Sequence, residues 1–243
     1  MNDQNLNKTM SKICLIRQPA GIGDIFFTQK IAKHYISEGY EVIWPVIPQF
    51  EFIKDYIKVK NLTFVNEREN FEHKNIYMEG YSKPFIINVN DIYLPIQHFD
   101  RHYNGSVMHA KYKLLNMDFD DWMHYFSFER NLEREQKLID HFGVNDKEFV
   151  FVNRMFGSPP DSKPCPHMGQ FENSVEMAYL GWDNLFDWIG LLLKAKHIYT
   201  VETSILYIIN KLGLKNVTVY SRHNPPSFHQ VEHMFDKDLT YIK

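Results

Sequence analysis

Apolar residues along this chain fall into two rhythms. Short apolar runs read as buried strands: KICLIRQ (12–18), EVIWPVI (41–47), LTFVN (62–66) and PFIINV (84–89). Between the first two, Ile25, Phe26, Ile31, Ala32, Tyr35 and Ile36 recur close to helical spacing and predict a helix over 24–38. Gly39 follows, where a helix C-terminus favours glycine. Pro45 places the end of the second strand nearby, and a short helix is expected over 50–57. Strand, helix, strand at this spacing predicts a parallel sheet with right-handed crossovers.

The stretch 107–142 is helical in character, with the acidic-aromatic piece DFDDWMHYF dividing it and Gly143 closing it. The strand rhythm then restarts with EFVFVNRM (148–155), followed by a long loop, GSPPDSKPCPHMGQ (157–170). SVEMAYL (174–180) reads as a strand, NLFDWIGLLLKA (184–195) as a helix and HIYTV (197–201) as a strand. SILYIINKLG (204–213) is a second helix, VTVYS (217–221) the final strand and SFHQVEHMF (227–235) a terminal helix. The chain thus predicts an α/β protein of two Rossmann-like βαβ domains, 1–145 and 146–243, in which the second half repeats the logic of the first.

Composition narrows the class without choosing a function. With 44% hydrophobic and 23% charged residues, the 243-residue chain is an ordinary globular protein, long enough for one large domain or two small ones with real cores. A formal net charge of −3 gives no basic field for nucleic acid. Of the two cysteines, Cys14 lies in an expected buried strand, which argues against a disulfide framework and for a reducing, cytoplasmic setting. No apolar run approaches the roughly 18 residues that span a bilayer, and the start MNDQNLNKTMSK lacks the apolar core of a secretory signal. Membrane contact is expected to be peripheral at most.

The chemistry concentrates at two strand-to-helix junctions. In AGIGD the glycines allow a tight turn after the first strand, yet neither nucleotide signature fits. A dinucleotide fingerprint wants glycine where Phe26 stands, and a phosphate loop wants Lys where Asp24 stands. Asp24 sits at the carboxyl end of the first strand, where open α/β sheets bind ligands. It reads either as a reactive carboxylate or as a helix cap, and one residue can serve as both. At the second junction, Glu202-Thr203-Ser204 opens a helix whose exposed amides suit an anion such as a diphosphate, or simply an ordinary capped helix. Arg154, ending the strand FVNRM, has the fork of donors to reach a diphosphate or to make a surface ion pair. Arg222, just past the last strand, is a further cation on this side.

Other clusters carry less. Asp118, Asp120 and Asp121 alternate with aromatics like a solvated loop. His98, His102 and His109 lack a cysteine or carboxylate to complete a zinc site, and Asn104-Gly105 interrupts their helix. No metal is expected. The region around Arg101 and His102 is expected to form a cleft wall touching an acceptor.

GIGD before an amphipathic helix, together with the strand–acid–Thr–Ser–helix pattern at 197–213, resembles the heptosyltransferase-like glycosyltransferases of the GT-B fold. The resemblance spans both halves and implies two compact domains facing across a cleft. It implies that Asp24, with Gly23 beside it, meets the acceptor and takes the proton of its hydroxyl as general base. Thr203 and Ser204 would hold the donor's diphosphate, and Glu202 its sugar or ribose. Arg154 and Ser158, in NRMFGS, would add phosphate contacts. Tyr179 lies where such folds meet the base, so its ring would stack there or pack in the core. The implied activity is transfer of a sugar from a nucleotide-sugar to a glycan, glycolipid or other hydroxyl acceptor, inverting and without metal or cofactor. Two other classes stay open. One is a non-catalytic protein of the same shape that recognises a sugar nucleotide or glycan. The other is a single-domain phosphate-ester or nucleotide enzyme, which would carry one continuous sheet.

Overall fold

The computed structural model describes residues 12–97, 107–157, 162–222, 234–235 and 239–242. Arg101, His102 and Ser158, and most of the helix expected over 227–235, lie outside these residues.

Two five-stranded sheets are present, so the single-sheet alternative is overturned. The first sheet has the order β3-β2-β1-β5-β4. Its strands are β1 (Lys12–Ile16), β2 (Tyr40–Val46), β3 (Leu62–Asn66), β4 (Phe85–Ile86) and β5 (Ile92–Leu94). All its pairings are parallel except β4 with β5. The run PFIINV therefore gives only a two-residue antiparallel edge strand. The neighbour of β1 is the three-residue β5, which the apolar pattern did not single out. β2 ends at Val46, one residue past Pro45, as expected; Pro45 pairs with Val65 of β3, while the pairing with β1 stops at Ile43. Beyond Ile43, the proline's missing N–H breaks no bond to β1.

The second sheet has the order β12-β11-β10-β6-β9, all parallel. It comprises β6 (Val150–Asn153), β9 (Ser174–Glu176), β10 (His197–Val201), β11 (Val217–Tyr220) and β12 (Thr240–Ile242). The expected last strand, β11, thus has one more strand outside it, β12. Just before the Pro-rich loop, β7 (Met155–Phe156) pairs antiparallel with β8 (Lys163–Pro164) inside it. SVEMAYL is strand only over its first three residues, β9, leaving Tyr179 in irregular backbone.

The helix expected over 24–38 is two helices, α1 (Ile22–Phe27) and α2 (Gln29–Ser37). Thr28 separates them: its hydroxyl donates to the Asp24 carbonyl at 2.7 Å, a back-bond that bends helices. α1 is buried all round at its C-terminal half, with Ile25, Phe26 and Phe27 inaccessible. Phe26 stacks on Phe126 with centroids 4.6 Å apart and touches Phe186 and Tyr207 of the second half. One hydrophobic cluster therefore runs through both halves of the chain.

The remaining helices of the first half are α3 (Ile53–Tyr56) and α4 (Lys74–Glu79). They are followed by α5 (Val107–Lys113), α6 (Trp122–Tyr125) and α7 (Leu132–Phe142). Gly143, at φ 63°, closes α7 as expected. α7 packs on α8 (Ile189–Lys194) and the 3-10 segment before it, Leu185–Trp188. α9 (Ile205–Lys211) follows β10 and meets α1. No helix among the described residues is long and apolar enough to cross a membrane.

Candidate active site

The AGIGD turn folds around a carboxylate. Gly21 takes φ 79° and precedes α1, a left-handed conformation that costs glycine little. A Cβ there would also collide with Asp24 Oδ2, so the position excludes side chains twice over. Asp24 occupies the first turn of α1, just past the carboxyl end of β1, with its side chain 28% exposed. Asp24 is the third residue of α1 and not its N-cap, which is Gly21. The carboxylate thus stands in a dipole-favoured position and is open to a ligand.

Its partner is Lys111 of α5, a residue that sequence reasoning missed. Lys111 Nζ lies 3.1 Å from Asp24 Oδ1, 2.7 Å from Gln18 Oε1 and 3.2 Å from the Ile96 carbonyl. The lysine is 1% exposed. Burial pulls its pKa below the usual range, and the charge and hydrogen bond of Asp24 oppose that pull. Gln18 is itself fixed, donating to the Ala20 carbonyl, while its own carbonyl accepts from Trp44 Nε1 at 3.0 Å. Lys111 resembled an ordinary helix lysine because only tertiary structure brings α5 to the end of β1.

Gly23 faces the second half. A Cβ on it would lie 2.9 Å from the Tyr207 ring, so the missing side chain lets α1 approach α9. Tyr207 is buried at this seam, and burial pushes its phenol pKa well up. The charges of Asp24 and Glu202 push in the same direction, while that of Arg222 opposes them. The ring therefore sits within electrostatic reach of the acid from the first half and of the Glu202–Arg222 pair from the second.

At the other junction, Thr203 and Ser204 are part-buried and lead into α9, with no side-chain cap bond at Ser204. Thr203 Oγ1 accepts from Asn153 Nδ2 at 3.0 Å, and the same amide reaches Thr200 Oγ1 at 3.1 Å. Asn153, overlooked beside Arg154, is the residue of FVNRM that meets this junction. Glu202 is buried; its Oε2 accepts from the Arg222 amide at 2.9 Å, and Arg222 Nη2 donates to the Glu202 carbonyl at 3.0 Å. Arg222 also lies over the Phe156 ring at 6.0 Å.

Arg154 is engaged elsewhere. Its fork donates to Glu176 at 3.1 and 2.7 Å and to the Met168 carbonyl at 3.0 Å, and Gly169 receives further donation. These bonds clamp the Pro-rich loop to β9, matching the ion-pair alternative. Tyr179 is 75% exposed, so its ring is open to solvent rather than packed in the core.

The secondary clusters have structural uses. Lys30 pairs with Asp121 at 2.7 Å and donates to the Asp120 carbonyl, and His109 stacks on Phe119 at 3.9 Å. Among the described residues, no group of three or more His, Cys, Asp or Glu gathers to hold a metal. Cys14 and Cys165 are free and buried.

No protein-family model matches the chain, and no curated protein matches it by sequence. Solved structures do resemble it. A glycosyltransferase family 9 protein from Veillonella parvula aligns over 95% of this chain and 85% of its own, at 10% identity and a TM-score of 0.51. The iron-containing dodecameric glycosyltransferase TibC of enterotoxigenic E. coli aligns over 87% of this chain and 58% of its own, at 8% identity and TM-score 0.49. The E. coli heptosyltransferase WaaC, solved with ADP-2-deoxy-2-fluoro heptose, aligns over 95% and 93%, at 11% identity and TM-score 0.44. The likeness to the Veillonella protein is one of fold, and it agrees with the α/β class expected from sequence.

Proposed function

We propose that this chain is a glycosyltransferase that moves a sugar from a nucleotide-sugar donor to a hydroxyl of a glycan or glycolipid acceptor. The observation that carries the reading is the Asp24 carboxylate. It is part-exposed at the carboxyl end of β1, on a helix that packs against α9, whose start bears Thr203 and Ser204. The fold likeness supports the same class of chemistry at the level of architecture.

In this reading residues 1–145 take the acceptor and 146–243 the donor. Asp24 removes the acceptor hydroxyl's proton as the oxygen attacks the anomeric carbon. The bond from that carbon to the phosphate oxygen breaks, the configuration inverts, and the nucleoside diphosphate leaves with the electron pair. Thr203 and Ser204 meet its charge at the start of α9, and Arg222 supplies a cation nearby. Glu202 orients the donor by holding Arg222, and Tyr179 offers a face to the base. The charge on the leaving group is met by protein groups, so turnover should survive a chelator.

The test is transfer or hydrolysis measured across a panel of nucleotide-sugars, with Asp24→Asn as control. The variant should bind nucleoside diphosphate normally and lose turnover by about 10²–10⁴-fold. Equal turnover by both proteins would remove Asp24 from the reaction. Tight binding of a sugar nucleotide by the wild-type protein, with no turnover of any donor, would instead select the non-catalytic reading.

A further inference from the structure

We infer that Lys111 is the positioning residue for Asp24: its ammonium grips one carboxylate oxygen so that the other is presented to the acceptor. The inference rests on the reading of Asp24 as the base. The geometry is asymmetric. Oδ1 meets Lys111 at 3.1 Å, and Oδ2 is the oxygen that lies over the bare Cα of Gly21. Two further acceptors of the lysine, Gln18 Oε1 and the Ile96 carbonyl, are neutral and come from the segments that follow β1 and β5. They hold the ammonium from behind, on the side away from the carboxylate.

A purely structural role does not call for a charge here. Gln18 and Ile96 need a donor, which a neutral amide would supply, and burying an ammonium carries a desolvation penalty that a neutral donor avoids. At 1% exposure the ammonium is retained beside the one carboxylate that the proposed reaction uses. The pairing also resets the base. Once Asp24 takes the acceptor's proton, Lys111 loses the anionic partner it has in that carboxylate. That state favours passing the proton from the part-exposed carboxyl to water, which restores the ion pair.

The experiment uses the full chain with Lys111→Met, Lys111→Gln, Asp24→Asn and the Asp24→Asn/Lys111→Met double variant. Turnover of the active donor should fall about a hundredfold in Lys111→Met, the scale expected when a reacting group is misplaced by about an ångström. KM for the donor should stay within about twofold, since donor binding is not what is lost. Lys111→Gln keeps a hydrogen-bond donor without the charge, so it should keep the fold even if Lys111→Met destabilises it, and should still lose turnover. The melting temperatures supply a readout that needs no substrate. Asp24→Asn should lower it by stranding the lysine, and Lys111→Met in that background should recover part of the loss. Wild-type turnover in both Lys111 variants, or strictly additive melting shifts, would overturn the role of Lys111. Absence of turnover in the wild-type protein would sink the transferase reading, while the melting cycle would still judge the pair.

Discussion

Gly23 of α1 lies beneath the ring of Tyr207 on α9, where an added Cβ would come within 2.9 Å of Cε2. Two magnitudes oppose one another at this position. Alanine in a helix gains about 1 kcal/mol over glycine, while overpacking a tight contact costs about 1–3 kcal/mol. Because Tyr207 is itself held by Phe26, Trp122 and Phe235, it has little room to yield. Gly23→Ala should therefore destabilise the protein in urea unfolding. With Tyr207→Leu already present, the same substitution should become neutral or stabilising. A Gly23→Ala variant as stable as the wild type would show that the helices are not in close contact.

The halves are also tied by a buried acid. Asp187, fully buried, accepts from Arg134 at 2.8 and 2.7 Å and from the Tyr56 hydroxyl at 2.8 Å. Tyr56 comes from the first sheet's side, and its ring stacks on Phe186 at 4.5 Å. Arg134→Met would leave the carboxylate buried without its cation, a loss on the order of 3–5 kcal/mol for a buried pair. The arginine side chain is 37% exposed, which puts the expected loss at the lower end, about 3 kcal/mol. Tyr56→Phe, which removes one hydrogen bond, should cost about 1 kcal/mol. Equal losses from the two substitutions would mean that the charge at Arg134 contributes nothing beyond a hydrogen bond.

What could be read from the sequence was local, and what could not was the meeting of distant parts. Gly21 and Asp24 are neighbours in one turn, so the turn's chemistry shows in five letters. The strands β3, β10 and β11 are short local runs rich in apolar and β-branched residues and were legible for the same reason. β5 is only Ile92–Leu94, too short for a period to show, and it is a strand because β1 pairs with it. The α1–α2 break depends on one hydroxyl, that of Thr28, turning back on its own helix. Lys111 and Asn153 were invisible as site residues because a lysine in a helix and an asparagine ending a strand are common. Their roles come from three-dimensional neighbours that no spacing encodes. Arg154 is the converse case: conspicuous in the sequence as a cation, it has its donors on Glu176 and the loop.

That clamp makes its own prediction. Arg154 joins β6 to β9 through Glu176 and holds the carbonyls of Met168 and Gly169. Arg154→Met should release the loop around 162–170, with global stability changing little because the pair is part-exposed. Limited proteolysis should then cut within that segment faster than in the wild type, and the rest of the chain should be cut no faster. If loop protection is unchanged while affinity for a nucleoside diphosphate falls, the arginine serves the ligand rather than the loop.

Stability should fall steeply in alkali, for a reason readable from buried phenols. Burial raises the pKa of Tyr77 and Tyr112 far above the usual value of 10, and that of Tyr35 to about 12. The sign follows from proton counts. Above pH 10 the unfolded chain releases these protons while the folded chain keeps them, so their stabilisation is complete below pH 10 and is lost as pH rises. Tyr77 and Tyr112 are 3% and 0% exposed, and each should erode about 1.4 kcal/mol per pH unit. Lys33, Lys111 and Lys211 push the other way, because their folded pKa values are lowered and their burial penalty is relieved in alkali. That relief ends once the unfolded chain's lysines also deprotonate near 10.5, whereas the tyrosine loss continues upward. Cooperative unfolding should thus set in between about pH 10 and 12 for a domain of ordinary stability. Phenolate absorbance should rise in two stages, exposed tyrosines first and the buried ones together with the loss of circular dichroism. A single smooth titration of all 14 tyrosines with the dichroism intact would contradict the burial of Tyr77 and Tyr112.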